Sequence, residues 1–205
     1  MKRTLLIAGV SGTGKTSIAK VLSDRYKAPV YSKDMFKEIL FDTVGFRSAD
    51  EKDVLDRTGI LLMLKAAEAA VLRGYSVILE SNFMERDKKD IRMFEERTGS
   101  KVCTLKMNCD MDVLYGRLVK RDGEITRHPA HAIADRYPVP EGEEYVYSPL
   151  FTKEELISVM GELGVTDFSY GDTVTLDSSD FEKMDTERAI TELDELLLGD
   201  TGSTD

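Results

Sequence analysis

Residues 9–16 read GVSGTGKT, so Gly9, Gly12 and Gly14 fall in one short stretch, with Lys15, Thr16 and Ser17 immediately after them. Glycine is conformationally permissive, and a chain rich in it can curl until successive backbone N–H groups face one concavity. Such a concavity binds an anion. The spacing satisfies GxxxxGK[ST], which predicts a phosphate cradle over Gly9, Val10, Ser11, Gly12, Thr13, Gly14, Lys15, Thr16 and Ser17. Lys15 then reaches the β- and γ-phosphates of a nucleotide, and the Thr16 hydroxyl ligates Mg²⁺. A helix starting at Lys15 adds its free N–H groups and the positive end of its dipole. Gly12, Gly14 and Ser17 also approximate the dinucleotide fingerprint GxGxxG/A, with Asp34 twenty residues beyond Gly14. The GK[ST] ending argues against that rival, in which a lysine has no role.

These residues need a strand before them and a helix after them, and the pattern supplies both. Residues 4–10 (TLLIAGV) read as a buried strand and 15–26 as a helix. Strands are predicted at 29–32, 75–81, 101–108 and 173–179. Helices are predicted over 33–44, 51–73, 86–98, 110–121 and 185–198, with Asp110 as a cap. The alternation implies an α/β fold: a parallel five-stranded sheet covered by helices on both faces, within one domain over 1–198. Ligands of such folds bind at the carboxyl ends of the strands. Residues 122–150 break the rhythm and are too long for an ordinary connection, which marks them as a lid or an insertion. The tail 199–205 reads as disordered.

The chain has 205 residues, 41% of them hydrophobic, and a net charge of −10, which disfavours a broad nucleic-acid or anionic-membrane footprint. No segment reaches the length of a membrane span. Cys103 and Cys109 form no metal or redox spacing, and a reduced cytoplasmic setting fits them. The run MKRTLLIAG is too short in its apolar part for a signal peptide and leads straight into the glycine turn.

With the phosphate loop, this element order and the points below, the sequence resembles the P-loop kinase-type family of AAA-type ATPase domains. That family includes zeta toxins, chloramphenicol phosphotransferase, gluconate kinase and polynucleotide 5′-kinases. The resemblance covers most of the chain in element order and implies a three-layer P-loop fold. In YSKDMFK, Asp34 matches the family's proton acceptor for the attacking hydroxyl, and Lys37 a basic residue that contacts substrate. The alternative for Asp34 is a helix cap. In VILESNF, Glu80 resembles a strand-end acid that orients Mg²⁺, against an ordinary strand-end carboxylate, and Asn82 matches a substrate-contacting position.

Arg117 and Arg121 share a helix face and form a basic patch with Lys120 and Arg127, which the resemblance reads as nucleotide contact (Arg117), transition-state charge (Arg121) and substrate (Arg127). The alternative is a solvated face pairing with Asp112 and Glu124. His128 and His131 read as lid packing or substrate contact, and LDSS (176–179) sits where relatives wrap adenine. The implied function is a Mg²⁺·ATP-dependent phosphotransferase with Lys15, Asp34 and Arg121 catalytic and a small-molecule hydroxyl as acceptor. The alternatives are a polynucleotide 5′-hydroxyl kinase and a nucleotide-dependent switch without an acceptor.

Overall fold

A computed structural model describes residues 3–123, 128–133, 136–144 and 151–198. Five parallel strands form one sheet in the order β2-β3-β1-β4-β5: β1 Arg3–Ala8, β2 Val30–Ser32, β3 Val77–Ser81, β4 Lys101–Asn108 and β5 Asp172–Asp177. β1 is central, hydrogen-bonded to β3 on one side and β4 on the other, and every residue of it is buried. That is why it reads as an unbroken apolar run rather than an alternating one.

Alternation within β1 divides the core. Leu5 and Ile7 pack with Ile18 and Leu22 of α1 (Lys15–Tyr26) and Leu193 of α7 (Thr186–Leu198). Leu6 and Ala8 face Met63, Leu64 and Ala67 of α3 (Ala49–Leu72) and Ile91 and Phe94 of α4 (Lys88–Thr98). Three layers result, as the sequence pattern predicts.

Register brings the strand ends together. Ile7 of β1 pairs with Glu80 of β3, which pairs with Ser32 of β2, so the chain leaves the sheet for its loops at one level. α2 (Lys33–Thr43) starts directly there, and its first turn is capped by Ser32, whose hydroxyl accepts from the Asp34 amide at 3.3 Å. The capping alternative for Asp34 therefore falls, because the helix starts before it. α3 crosses α2 closely at Gly59: a Cβ there would lie 3.3 Å from the Lys37 Cβ. A glycine in a helix interior costs about 1 kcal/mol against alanine, and here it makes room for the lysine stems of α2.

β4 leads into α5 (Met111–Gly123), where the Asp110 carboxylate accepts from the amides of Asp112 and Val113 at 2.9 and 3.2 Å. α6 (Lys153–Glu162) was not expected from the sequence pattern, although Thr152 and Glu155 close a reciprocal capping box at its start. Of the expected lid, Ala130 and Ile133 join Phe41, Phe46 and Leu55 in a small core against α2 and α3, and Phe46 and Tyr137 exchange two backbone hydrogen bonds. Arg127 and the tail 199–205 lie outside the described residues. None of the described helices is long and apolar enough to cross a membrane.

Candidate active site

The loop between β1 and α1 is braced around one carbonyl. The Val10 oxygen accepts from the Thr13 amide (3.3 Å), the Thr13 hydroxyl (2.8 Å) and Lys15 Nζ (3.1 Å). Val10 and Thr13 are themselves buried, so within the predicted phosphate loop they set its shape. Gly14 sits at φ 85°, the left-handed region, just before the first helical residue. Among the described residues, no backbone carbonyl accepts from the amides of Gly12, Gly14, Lys15 or Thr16, which leaves these donors for an anion.

Lys15 is 9% exposed, and burial pushes its ammonium down to about 8 even though Glu80 and Asp34 pull the other way. A buried, partly desolvated ammonium beside unpaired amides is a site awaiting negative charge. The Thr16 hydroxyl donates to Glu80 Oε1 at 2.7 Å, joining two residues 64 positions apart. Burial raises the Glu80 carboxyl, opposed by that hydrogen bond and by Lys15.

A cleft of about 350 Å³ runs from Ser11, Gly12 and Ser17 of the loop across Lys15 and Thr16 to Asp34 and Lys37 on α2 and Asn82 after β3. The Asp34 side chain is 47% exposed, so a ligand can reach it. Burial pushes its carboxyl up, but Lys37, His131 and Lys33 outweigh that and hold it at about 2. Lys37 Nζ lies 3.1 Å from Asp34 Oδ1.

Two residues, one lining this wall and one supporting it, are not singled out by the sequence. Lys33, one position before Asp34, donates to Asp56 Oδ1 (3.0 Å) and to Asn82 Oδ1 (2.8 Å), and Asp56 of α3 also accepts from Lys37 at 3.2 Å. Burial raises Asp56, and the two lysines reverse that and hold it low. The hint in the sequence is the spacing of four between Lys33 and Lys37, which puts both on one face of a helix.

Of the two arginines on α5, Arg121 lines the cleft. Arg117 turns to the loop after β5: its guanidinium lies 3.8 Å from the Phe181 ring centre and donates to the Ser179 carbonyl at 3.0 Å. Phe181 also lines the cleft, and a Cβ on Gly14 would come within 3.0 Å of its ring. Sequence reading reached this loop only through LDSS and missed Phe181. Asp112, offered as a partner for the basic face, pairs with Lys153 instead. His128 Nε2 lies 2.9 Å from Asp42 and His131 Nε2 2.8 Å from Glu38, clasping the described part of the 122–150 segment to α2. Among the described residues, no group of three or more His, Cys, Asp or Glu side chains is placed to hold a metal ion by itself.

Comparison with known proteins agrees with this architecture. A family model described as an AAA domain matches residues 5–137. A provisionally assigned kinase from Chloroflexus aurantiacus is 23% identical, with 97% of each chain covered and a TM-score of 0.69. A gluconokinase from Sinorhizobium meliloti is 14% identical, with 98% of each chain covered and a TM-score of 0.56. A sugar kinase from a Janibacter species is 19% identical over 95% of this chain and 93% of that one, with a TM-score of 0.54. At these identities the likeness establishes the fold. Comparison with curated proteins returns no match.

Proposed function

The chain belongs to the AAA-domain family, and on that premise we propose that it is a Mg²⁺·ATP-dependent phosphotransferase acting on a hydroxyl of a small molecule. One observation carries the reading: the cleft that holds the open amides and the buried Lys15 continues without interruption to an ionised, reachable Asp34. A nucleotide-binding switch has no need of the second half of that cleft. The gluconokinase and the sugar kinase among the similar structures support a small acceptor.

In this reading the amides of Gly12, Gly14, Lys15 and Thr16 and the Lys15 ammonium bind the β- and γ-phosphates. Asp34 accepts a hydrogen bond from the acceptor hydroxyl, orients it, and takes its proton as the new bond forms. Arg121 offsets charge on the transferring group. Arg127 remains part of the proposal as a substrate contact. The Thr16 hydroxyl and the Glu80 carboxylate are hard oxygen donors in mutual contact, a set that suits Mg²⁺ completed by phosphate oxygens and water. Because the Thr16 proton goes to Glu80, its oxygen lone pairs are left for the cation. Bound there, Mg²⁺ supplies charge neutralisation and fixes the phosphate geometry.

Calorimetry tests the nucleotide half directly. With Lys15 titrating at about 8 before phosphate binds, adding the phosphates draws it fully into the charged form. Binding of MgATP at pH 8 is therefore expected to take up about half a proton, and at pH 6 almost none. Heats measured in buffers of different ionisation enthalpy give that number. Absence of any binding heat with ATP or GTP in the presence of magnesium sinks the proposal.

Phe181 and Arg117 form the flank where a base would lie. An exposed cation–π contact is worth about 0.5–1 kcal/mol. Phe181→Ala is expected to raise the KM for ATP about two- to fivefold, with kcat nearly unchanged. Initial rates at saturating acceptor check this.

A further inference from the structure

The part of the cleft beyond Asp34 is walled by Lys33, Asp34 and Lys37, whose charge Asp56 helps to cancel. Lys33 and Lys37 are 3% and 8% exposed. Asp56 lies against both, with Lys33 Nζ 3.0 Å and Lys37 Nζ 3.2 Å from its Oδ1, and Asp34 lies 3.1 Å from Lys37. Two ammoniums and two carboxylates sum to zero. Lys15 and Arg121 serve the phosphates and Glu80 faces Thr16, so none of them offers charge to a second ligand.

The hydrogen-bonding capacity left over is specific. Lys37 has three N–H groups and faces two carboxylates, so one remains. Lys33 can only donate, which fixes the Asn82 carbonyl toward it and turns the Asn82 NH₂ the other way. Ser81 lines the cleft, and its hydroxyl, buried from solvent, has no hydrogen-bond partner among the described residues. A buried hydroxyl left unsatisfied is unfavourable until a ligand completes it.

We infer that this wall is the acceptor subsite, and that it takes a neutral molecule with adjacent hydroxyls, of the sugar or cyclitol class. A hydroxyl accepts from an ammonium and donates to a carboxylate at once, so it fits between Lys37 and Asp34 without changing the charge. An acceptor carboxylate or phosphate beside Lys37 would meet Asp34, with Asp56 on the far side of the lysine, and no surplus cation among the described residues of this wall favours it. The inference rests on the phosphotransferase reading. In the step, the bond from the γ-phosphorus to the β–γ bridging oxygen breaks and a bond to the acceptor oxygen forms. The departing ADP keeps the electron pair, and the acceptor proton passes to Asp34.

The test measures ADP release from MgATP by the full chain with two matched panels. One holds hexoses, pentoses and cyclitols; the other holds the corresponding aldonic and uronic acids and sugar phosphates. The expected result is a neutral polyol whose kcat/KM exceeds that of its acidic counterpart at least tenfold. Equal use, preference for an acid, or stimulation only by a 5′-hydroxyl oligonucleotide overturns the inference and leaves the phosphotransferase reading standing. MgATP binding without turnover of any compound in either panel also overturns it. Failure to bind MgATP removes the reading itself. Ser81→Ala is expected to raise the acceptor KM about fivefold or more while the melting temperature holds, because that hydroxyl has no hydrogen-bond partner among the described residues. An unchanged KM overturns the placement of the subsite.

Discussion

Lys15→Ala is expected to leave a folded protein that no longer transfers phosphate, with kcat/KM down by about 10³-fold or more. Removing one pre-organised charged or hydrogen-bonding group from a phosphoryl-transfer site costs about 10² to 10⁵ in rate, and Lys15 is the cation buried inside the loop itself. Stability should move the other way. In the unfolded chain this lysine titrates near 10.5, in the folded one at about 8, so burying its charge opposes folding. The sign follows from proton counting. Between those values the unfolded state holds more protons, stability rises with pH, and the full penalty is present below pH 8. A shift of that size corresponds to roughly 3 kcal/mol, offset in part by the lost bond to the Val10 carbonyl and the lost packing of the stem. The melting temperature of Lys15→Ala at pH 7 should therefore be unchanged or raised by a few degrees. A thermal melt beside a coupled assay reads both. A variant that lost activity by unfolding would deny Lys15 a direct role.

The same contrast explains how much of the site is readable in one dimension. The phosphate loop is legible because all its parts are local: glycines that must curl, a lysine at the first helical position, a hydroxyl one residue on. The fold is legible because the apolar stretch around β1 is continuous and the other strands alternate with helices. Asp34 is legible only by its place after β2. The contact between Lys33, Lys37 and Asp56 is not legible, since it depends on α2 and α3 crossing closely enough for a helical glycine at position 59 to matter. Phe181 is hidden for a similar reason. Nothing near it in sequence says that the loop after β5 returns to Gly14 and Arg117. Glu80 is legible as a candidate by its place at the end of β3, but its contact with Thr16 is not, since that needs the register that sets it opposite Ile7. In each hidden contact the partners lie on different elements, where spacing carries no information. α6 is the exception, because the Thr152 and Glu155 spacing was there to be read.

Asp34→Asn is expected to keep nucleotide binding and lose transfer. The amide has the shape of the carboxylate but neither its charge nor its basicity. A positioned general base contributes about 10² to 10⁴ in rate, and a loss in that range is expected in single-turnover transfer. The low titration point of Asp34, about 2, bears on how it works. So acidic a group is a weak base toward a free hydroxyl, so it cannot pre-form an alkoxide. Its service is to stay ionised at every working pH, hold the hydroxyl in line, and receive the proton late, when the new bond has made that proton acidic. Lys37, 3.1 Å away, keeps it so. The consequence for the pH profile is specific: protonation of Asp34 itself puts no acid limb in kcat/KM above about pH 4. The ATP dissociation constant of Asp34→Asn should stay within about threefold of the parent, because the phosphate amides and Lys15 are untouched. A comparable loss of ATP affinity and transfer would move Asp34 from the acceptor side of the cleft to the nucleotide side. A variant that transferred at the parental rate would leave a nucleotide-dependent switch as the better account of the loop.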